Sequence, residues 1–75
     1  MIDEELQLVW LPTFDGKEGD FCAWDGANLI GRVFYSRYGS WHWHLRKRNS
    51  VEQSGRAPSE LGAKLTLELK WFKDY

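Results

Sequence analysis

The chain has few of the residues that staple or anchor a small protein. Cys22 is the only cysteine, which excludes an intramolecular disulfide and a cysteine-based zinc cluster. No stretch approaches the roughly 18 apolar residues of a membrane span, so we expect no membrane insertion. The acidic opening MIDEELQLVWLP lacks the basic segment of a secretory signal. Together with the lone cysteine, this opening predicts a cytoplasmic protein.

A strong charge of one sign is also missing. The net charge is -1 while 28% of the residues are charged, a balance typical of a globular chain and not of a disordered one. A near-neutral total argues against a protein whose main task is to coat nucleic acid. It still leaves room for a local basic face.

Catalytic motifs are scarce as well. The sequence contains no Ser-His-Asp order, no phosphate-cradling glycine loop and no paired-carboxylate arrangement. Cys22 stands between Phe21 and Ala23, apolar neighbours that indicate an inert buried thiol. We therefore expect a protein that is not an enzyme and that uses no cofactor.

Aromatic residues, in contrast, are abundant. The 75 residues allow one small domain, 1–75, and include five Trp, three Tyr and four Phe. Each aromatic side chain can bury roughly 150–250 Å², so these residues supply most of the core of a chain this short.

The first two thirds of the chain alternate as strands do. Segments 6–12, 21–24, 29–35 and 40–46 are strand candidates, and Asp25-Gly26 is the pair that tight hairpins favour. Gly31 interrupts the third segment, which indicates a bulge or a close approach by another element. The polar stretch 46–55 is interpreted as strand end and loop, with room for a short return strand near Val51.

The last segment allows two interpretations. Ser59 is a good helix N-cap, and 65–71 also alternates as a strand would. Leu, Glu, Lys and Ala favour helices, so we predict a helix over 61–73. Its apolar residues form two neighbouring stripes: Leu61, Leu65, Leu69 and Phe72, and Ala63, Leu67 and Trp71. The predicted fold class is α+β, a three- to four-stranded antiparallel meander with one C-terminal helix packed on one face.

The stretch SWHWHLR decides where a binding surface would lie. Residues two apart in a strand share a face, so His42 and His44 should lie opposite Trp41 and Trp43. A His-x-His pair can hold a metal only if further ligands converge, and the sequence fixes none nearby, so no metal site is predicted. The candidate residues for binding a partner or nucleic acid are Arg32, Arg37, His42, His44, Arg46 and Arg48.

Three further aromatics are candidates for surface contacts. Trp24 stands beside a turn, and Trp71 and Tyr75 stand near the C-terminus. We expect these side chains to be exposed, as they would be in a contact with a protein partner or in a homodimer.

From Trp24 onward the chain resembles a set of short, uncharacterised bacterial and phage proteins. The resemblance rests on Asp25-Gly26, on 30–34 (IGRVF), on Trp41 and Trp43, and on 55–59 (GRAPS) followed by Ala63 and Trp71. It implies a hairpin, a tryptophan-rich strand and a C-terminal helix, and it brings no catalytic residues. A looser similarity, in the order of elements, is to the DNA-binding domains of plant ethylene-response factors and phage integrase arms, which read DNA with the sheet face opposite the helix.

Two functions remain after these exclusions. The first is a small non-enzymatic protein-interaction module, in its most concrete form a phage or mobile-element inhibitor of a host complex, similar to anti-CRISPR proteins. The alternative is a nucleic-acid-binding domain that uses the basic outer face of the sheet.

Overall fold

The computed structural model describes residues 6–46 and 52–73. They form one antiparallel sheet and one helix, which confirms the α+β class. The elements are β1 (Val9–Pro12), β2 (Asp20–Asp25), β3 (Asn28–Tyr35), β4 (Trp41–Leu45), β5 (Gln53–Ala57) and α1 (Glu60–Lys73). The strands lie side by side in chain order, so the sheet is a meander. Within the described ranges, no helix has both the length and the apolar content needed to cross a membrane.

The sheet has five strands, so the predicted count of three to four was wrong. The additional strand is β5, whose residues 53–57 pair antiparallel with β4. The sequence predicts strand end and loop over 46–55 with room for a short return strand near Val51, and Val51 itself lies outside the described residues. Its helix-side position Gly55 lies under the Trp43 indole, where an added Cβ would come within 2.7 Å of the ring. Because Trp43 covers this position, β5 needs no large apolar residue there, and the usual alternation of a half-buried strand is absent.

Cross-strand pairing fixes which side chains face the helix. Val33 pairs with Trp43 and Gly31 with Leu45, and this row of residues packs against α1. Val33 and Leu45 are fully buried, and Trp43 is 6% exposed. The predicted alternation of β4 is therefore confirmed: the indoles lie on the helix side, and the imidazoles lie on the other.

Gly31 shows why the third strand carries a glycine. A Cβ at this position would lie 2.7 Å from the His44 carbonyl oxygen and 2.7 Å from Leu67 Cδ1. The register between β2 and β3 also shifts between Ala23 and Trp24, next to the pair that Ala23 forms with Gly31. Both features expected of this glycine, a close approach and a bulge, are present.

The C-terminal segment is a helix, as predicted, and its cap is Ser59. The Gly62 N–H donates to Ser59 Oγ at 3.0 Å, and the Ala63 N–H donates to the Ser59 carbonyl oxygen. Of the two apolar stripes, only the one with Leu67 and Trp71 enters the core. The other stripe faces outward, with Leu61 45%, Leu69 69% and Phe72 46% exposed.

Two charged side chains of α1 are buried against the first strands. The Glu68 carboxylate accepts from the backbone N–H groups of Gln7 and Leu8 and from Trp10 Nε1, all at 2.9–3.0 Å. Lys64 Nζ lies 3.8 Å from the centroid of the Phe21 ring. An unpaired buried carboxylate would be costly, so the hydrogen bonds that Glu68 accepts are needed in the folded state. These bonds join α1 to β1 and to the two residues that precede it.

Candidate functional site: the open face of the sheet

The face of the sheet opposite α1, here called the open face, is built from two rows of cross-strand partners. Partners in an antiparallel pair project to the same side, so the register alone defines the rows. One row is Leu11, Cys22, Arg32, His44 and Ser54. The other row is Asp20, Phe34, His42 and Arg56. No other helix or strand of the described residues packs on this face.

An ion pair lies at the centre of the open face. Arg32 donates to the Asp20 carboxylate in a bidentate arrangement, from Nε to Oδ1 at 2.8 Å and from Nη2 to Oδ2 at 2.5 Å. The Asp20 side chain is 1% exposed, while that of Arg32 is 42% exposed. The hydrogen bond from Arg32 lowers the pKa of Asp20 from 3.8 to about 2. The same bond raises the pKa of Arg32 above its ordinary value.

An aromatic and cationic stack runs across the strands beside this pair. The Arg32 guanidinium lies 4.8 Å from the Phe34 ring centroid and 5.9 Å from that of Phe14. The His42 ring on β4 stacks on the Phe34 ring, with the ring centroids 5.4 Å apart and the ring planes inclined by 11°. Phe34 therefore contacts both Arg32 and His42. Phe34 is not among the site residues of the sequence analysis.

The second histidine has a different neighbour. His44 Nε2 lies 3.2 Å from Glu52 Oε1, and its side chain is 41% exposed. His42 and His44 share the open face as predicted. In 6–46 and 52–73, however, no group of three or more His, Cys, Asp or Glu side chains is placed to hold a metal ion. His42 stacks on Phe34, and His44 lies within hydrogen-bonding distance of Glu52.

The other predicted basic residues do not join the two rows. Arg37 is exposed in the turn between β3 and β4. Arg46 follows β4, donates its backbone N–H to the Ile30 carbonyl oxygen, and lines a depression with Trp24 and Trp71. Arg48 lies outside the described residues. Of the six candidates, the structure therefore brings together Arg32, His42 and His44.

The predicted aromatic contacts fare differently. Trp71 is 8% exposed and donates from Nε1 to Asp25 Oδ2 at 3.2 Å, so the expectation of an exposed indole was wrong. Its place in the inward stripe of α1 explains the burial. Trp24 is half-buried in the depression beside Arg46. Tyr75 lies outside the described residues.

Arg56 and Cys22 are two further side chains of the open face that the sequence analysis does not include among the site residues. Arg56 pairs with His42 and is exposed, and its place on the sheet leaves no trace in the sequence because 53–57 lacks the alternation of a half-buried strand. Cys22 is half-buried on this face, and its Sγ lies 3.2 Å from Thr13 Oγ1, so the expectation that this thiol is buried was wrong. For Cys22 the signal was present: it has the same parity as Asp20 in β2.

The fold and site define a two-layer α+β protein with one sheet face covered by a helix and the other presenting charged and aromatic groups. No protein-family model, no curated protein and no solved structure matches the chain.

Proposed function

We propose that the protein is a cytoplasmic, non-enzymatic interaction module that binds another protein through the open face of its sheet. The observation that carries this proposal is the Asp20–Arg32 pair. Both carboxylate oxygens of Asp20 already accept from Arg32, which leaves the most central cation of the face largely neutralised. Such a surface suits a mixed polar and apolar protein partner better than a row of phosphates.

The rest of the face has the same mixed character. Lys17 Nζ lies 3.4 Å from an Asp20 carboxylate oxygen, and His44 Nε2 lies 3.2 Å from Glu52 Oε1, so nitrogen-bearing side chains lie beside carboxylates. Leu11, at the end of one row, is 49% exposed, and Phe14, which borders the open face, is 51% exposed. Apolar residues beside satisfied ion pairs are typical of a protein–protein contact, in which aromatic residues and arginine contribute most of the affinity.

The alternative function, binding of nucleic acid, has one observation in its favour. Phe34 and His42 form a stacked pair, and the exposed Arg56 is the cross-strand partner of His42. Aromatic rings beside a guanidinium can stack unpaired bases and contact phosphates. The alternative thus predicts preference for single strands and a steep dependence on salt.

The biological form that we propose for the first function is inhibition of a host complex by a phage or mobile-element protein. The small size, the near-neutral charge and the resemblance to short bacterial and phage proteins support it. The partner's own nucleic-acid channel or subunit interface would be the surface covered.

Affinity capture from a nuclease-treated bacterial lysate tests the proposal. The wild-type chain should recover a defined protein, and Arg56→Glu should lower its recovery several-fold, because the substitution reverses the charge of an exposed residue on the open face. Lys70→Glu is the matched control, since Lys70 is exposed on α1, away from the open face.

A gel-shift titration with random single-stranded and duplex DNA separates the two functions. We expect no shift at moderate salt. A shift that weakens steeply with salt and disappears in Arg56→Glu would favour the nucleic-acid alternative. Equal recovery of the captured protein by wild type, Arg56→Glu and His42→Glu would overturn the proposed contact surface.

A further inference from the structure

A second concave surface lies on the helix side of the sheet, away from the open face. It is a groove of about 740 Å³ at the end of the sheet where the β1–β2 loop meets the first turn of α1. Its apolar walls are Pro12, Phe21, Tyr35 and Trp41. The volume lies within the range of ligand pockets, and the groove opens widely to solvent, which suits an extended segment better than an enclosed small molecule.

Two of the aromatic walls form a notch. The Tyr35 and Trp41 rings meet at 63° with centroids 5.3 Å apart, an edge-to-face pair. Gly19 lies against them, where an added Cβ would be 3.4 Å from Tyr35 and 3.6 Å from Trp41. The Gly19 carbonyl oxygen also accepts from the Tyr35 N–H at 2.8 Å, so the β1–β2 loop holds the notch in place.

The notch contains polar groups that the fold does not use. Neither Trp41 Nε1 nor the Tyr35 hydroxyl makes a hydrogen bond to another group in the described part of the chain. Tyr35 is 52% exposed, so its hydroxyl remains accessible. An indole N–H and a phenol O–H at the edges of aromatic rings can donate to carbonyl oxygens of a chain that crosses them.

Charge at the rim adds a second requirement. Lys17 Nζ forms an ion pair with Asp20 Oδ2 at 3.4 Å, and Lys64 Nζ forms one with Glu60 Oε2 at 2.7 Å. Glu18, by contrast, forms no ion pair with any described residue and is exposed at the groove. The groove therefore presents one uncompensated carboxylate next to its aromatic walls.

We propose that this groove binds a proline-containing extended peptide segment with an arginine or lysine next to the prolines. Proline rings fill shallow aromatic notches, and proline carbonyls accept hydrogen bonds while the residue has no N–H left unsatisfied. A polyproline II segment also loses little conformational entropy on binding. The basic neighbour pairs with Glu18. This inference concerns a different surface from the open face and stands or falls independently of it.

The test is an NMR titration of the full chain with a ten-residue peptide of one arginine followed by prolines. We expect saturable shifts at Tyr35, Trp41 and Gly19, and none at His42 or Arg56. Trp41→Phe and Tyr35→Phe each keep a ring and remove one donor, so each should weaken binding about three- to tenfold. Glu18→Gln should weaken binding of the arginine peptide but leave that of an arginine-free polyproline peptide unchanged.

Matched controls keep the test specific. Tyr38→Phe removes the hydroxyl of a tyrosine that is 87% exposed and does not line the groove, so binding should not change. A peptide with alanine in place of every proline should not bind. Equal binding of the alanine peptide, or no saturable shift with any peptide at millimolar concentration, would overturn the proposal. Shifts confined to the open face would do the same.

Discussion

The two faces of the sheet are ordered by different physical means. On the helix face Val33, Leu45 and Leu67 have no exposed surface, and Gly31 leaves room for Leu67 to reach the sheet. On the open face an ion pair and ring stacking hold half-exposed side chains. Burial of apolar surface supplies most folding free energy, whereas exposed pairs contribute little. Substitutions on the open face should therefore cost less stability than substitutions on the helix face.

Among the described residues each face also contains one buried carboxylate, Glu68 on the helix face and Asp20 on the open face, and the two accept hydrogen bonds from different kinds of donor. Glu68 accepts from the backbone and from an indole, so it joins α1 to the start of the sheet. Asp20 accepts from a guanidinium that is itself half-exposed. Loss of the first leaves buried donors without a partner, whereas loss of the second frees a cation that water can solvate.

The largest difference between the faces should appear on truncating leucines of α1. Leu67→Ala should lower the free energy of unfolding by about 2–5 kcal/mol, because it opens a cavity beneath the sheet. Leu69→Ala makes the same chemical change on the same helix at a position that is 69% exposed, and should cost less than about 0.5 kcal/mol. Urea denaturation followed by circular dichroism measures both. Equal costs would contradict the assignment of the inward stripe.

Loss of the hydrogen bonds that Glu68 accepts from Gln7, Leu8 and Trp10 should have the next largest effect on stability. Glu68→Gln keeps the shape of the side chain but removes the charge and one acceptor, so it should destabilise the protein by about 1–3 kcal/mol. Glu52→Gln is the control, because the Glu52 side chain is 58% exposed beside His44. Hydrogen exchange gives a local measure: the amide of Leu8 should lose protection in Glu68→Gln and keep it in Glu52→Gln. Unchanged protection would show that Glu68 does not hold β1.

Alternation in the sequence was enough to predict much of this comparison. The parity of Trp43 and His44 placed the core on one side and the basic groups on the other, because residues two apart in a strand must share a face. Ser59 marked the start of the helix by its capping chemistry. Strand alternation and helix capping are local features of the sequence. They predict the structure correctly where tertiary packing favours the same local conformation.

What sequence reasoning missed depends on partners far along the chain. Gly55 can lie in a strand because the Trp43 indole covers it. Leu67 is buried and Leu69 is exposed because only one of the two apolar stripes of α1 packs against the sheet. Asp20 was not selected because its role needs Arg32, twelve residues away, at the neighbouring position of the ladder. None of these pairings leaves a periodic trace in its own segment.

The smallest of the three effects, and the one specific to the open face, is the pH dependence of the Asp20–Arg32 pair. The folded-state pKa of Asp20, about 2, is below its ordinary value of 3.8. A lowered carboxyl pKa contributes stability that is fully present above 3.8 and is lost as the pH falls toward 2. Because Arg32 is 42% exposed, we expect a contribution of only about 1–2 kcal/mol.

Asp20→Asn should therefore be less stable than wild type at pH 7 by about that amount and should lose less stability on acidification, so that the two unfolding curves converge toward pH 2. Asp15→Asn, at an exposed position of the β1–β2 loop, should follow the wild-type curve. Thermal unfolding from pH 7 to pH 2 provides the measurement. Parallel curves for Asp20→Asn and wild type would mean that the ion pair orients Arg32 on the open face without stabilising the fold. The two faces would then differ more in their contributions to the free energy of unfolding than the structure indicates.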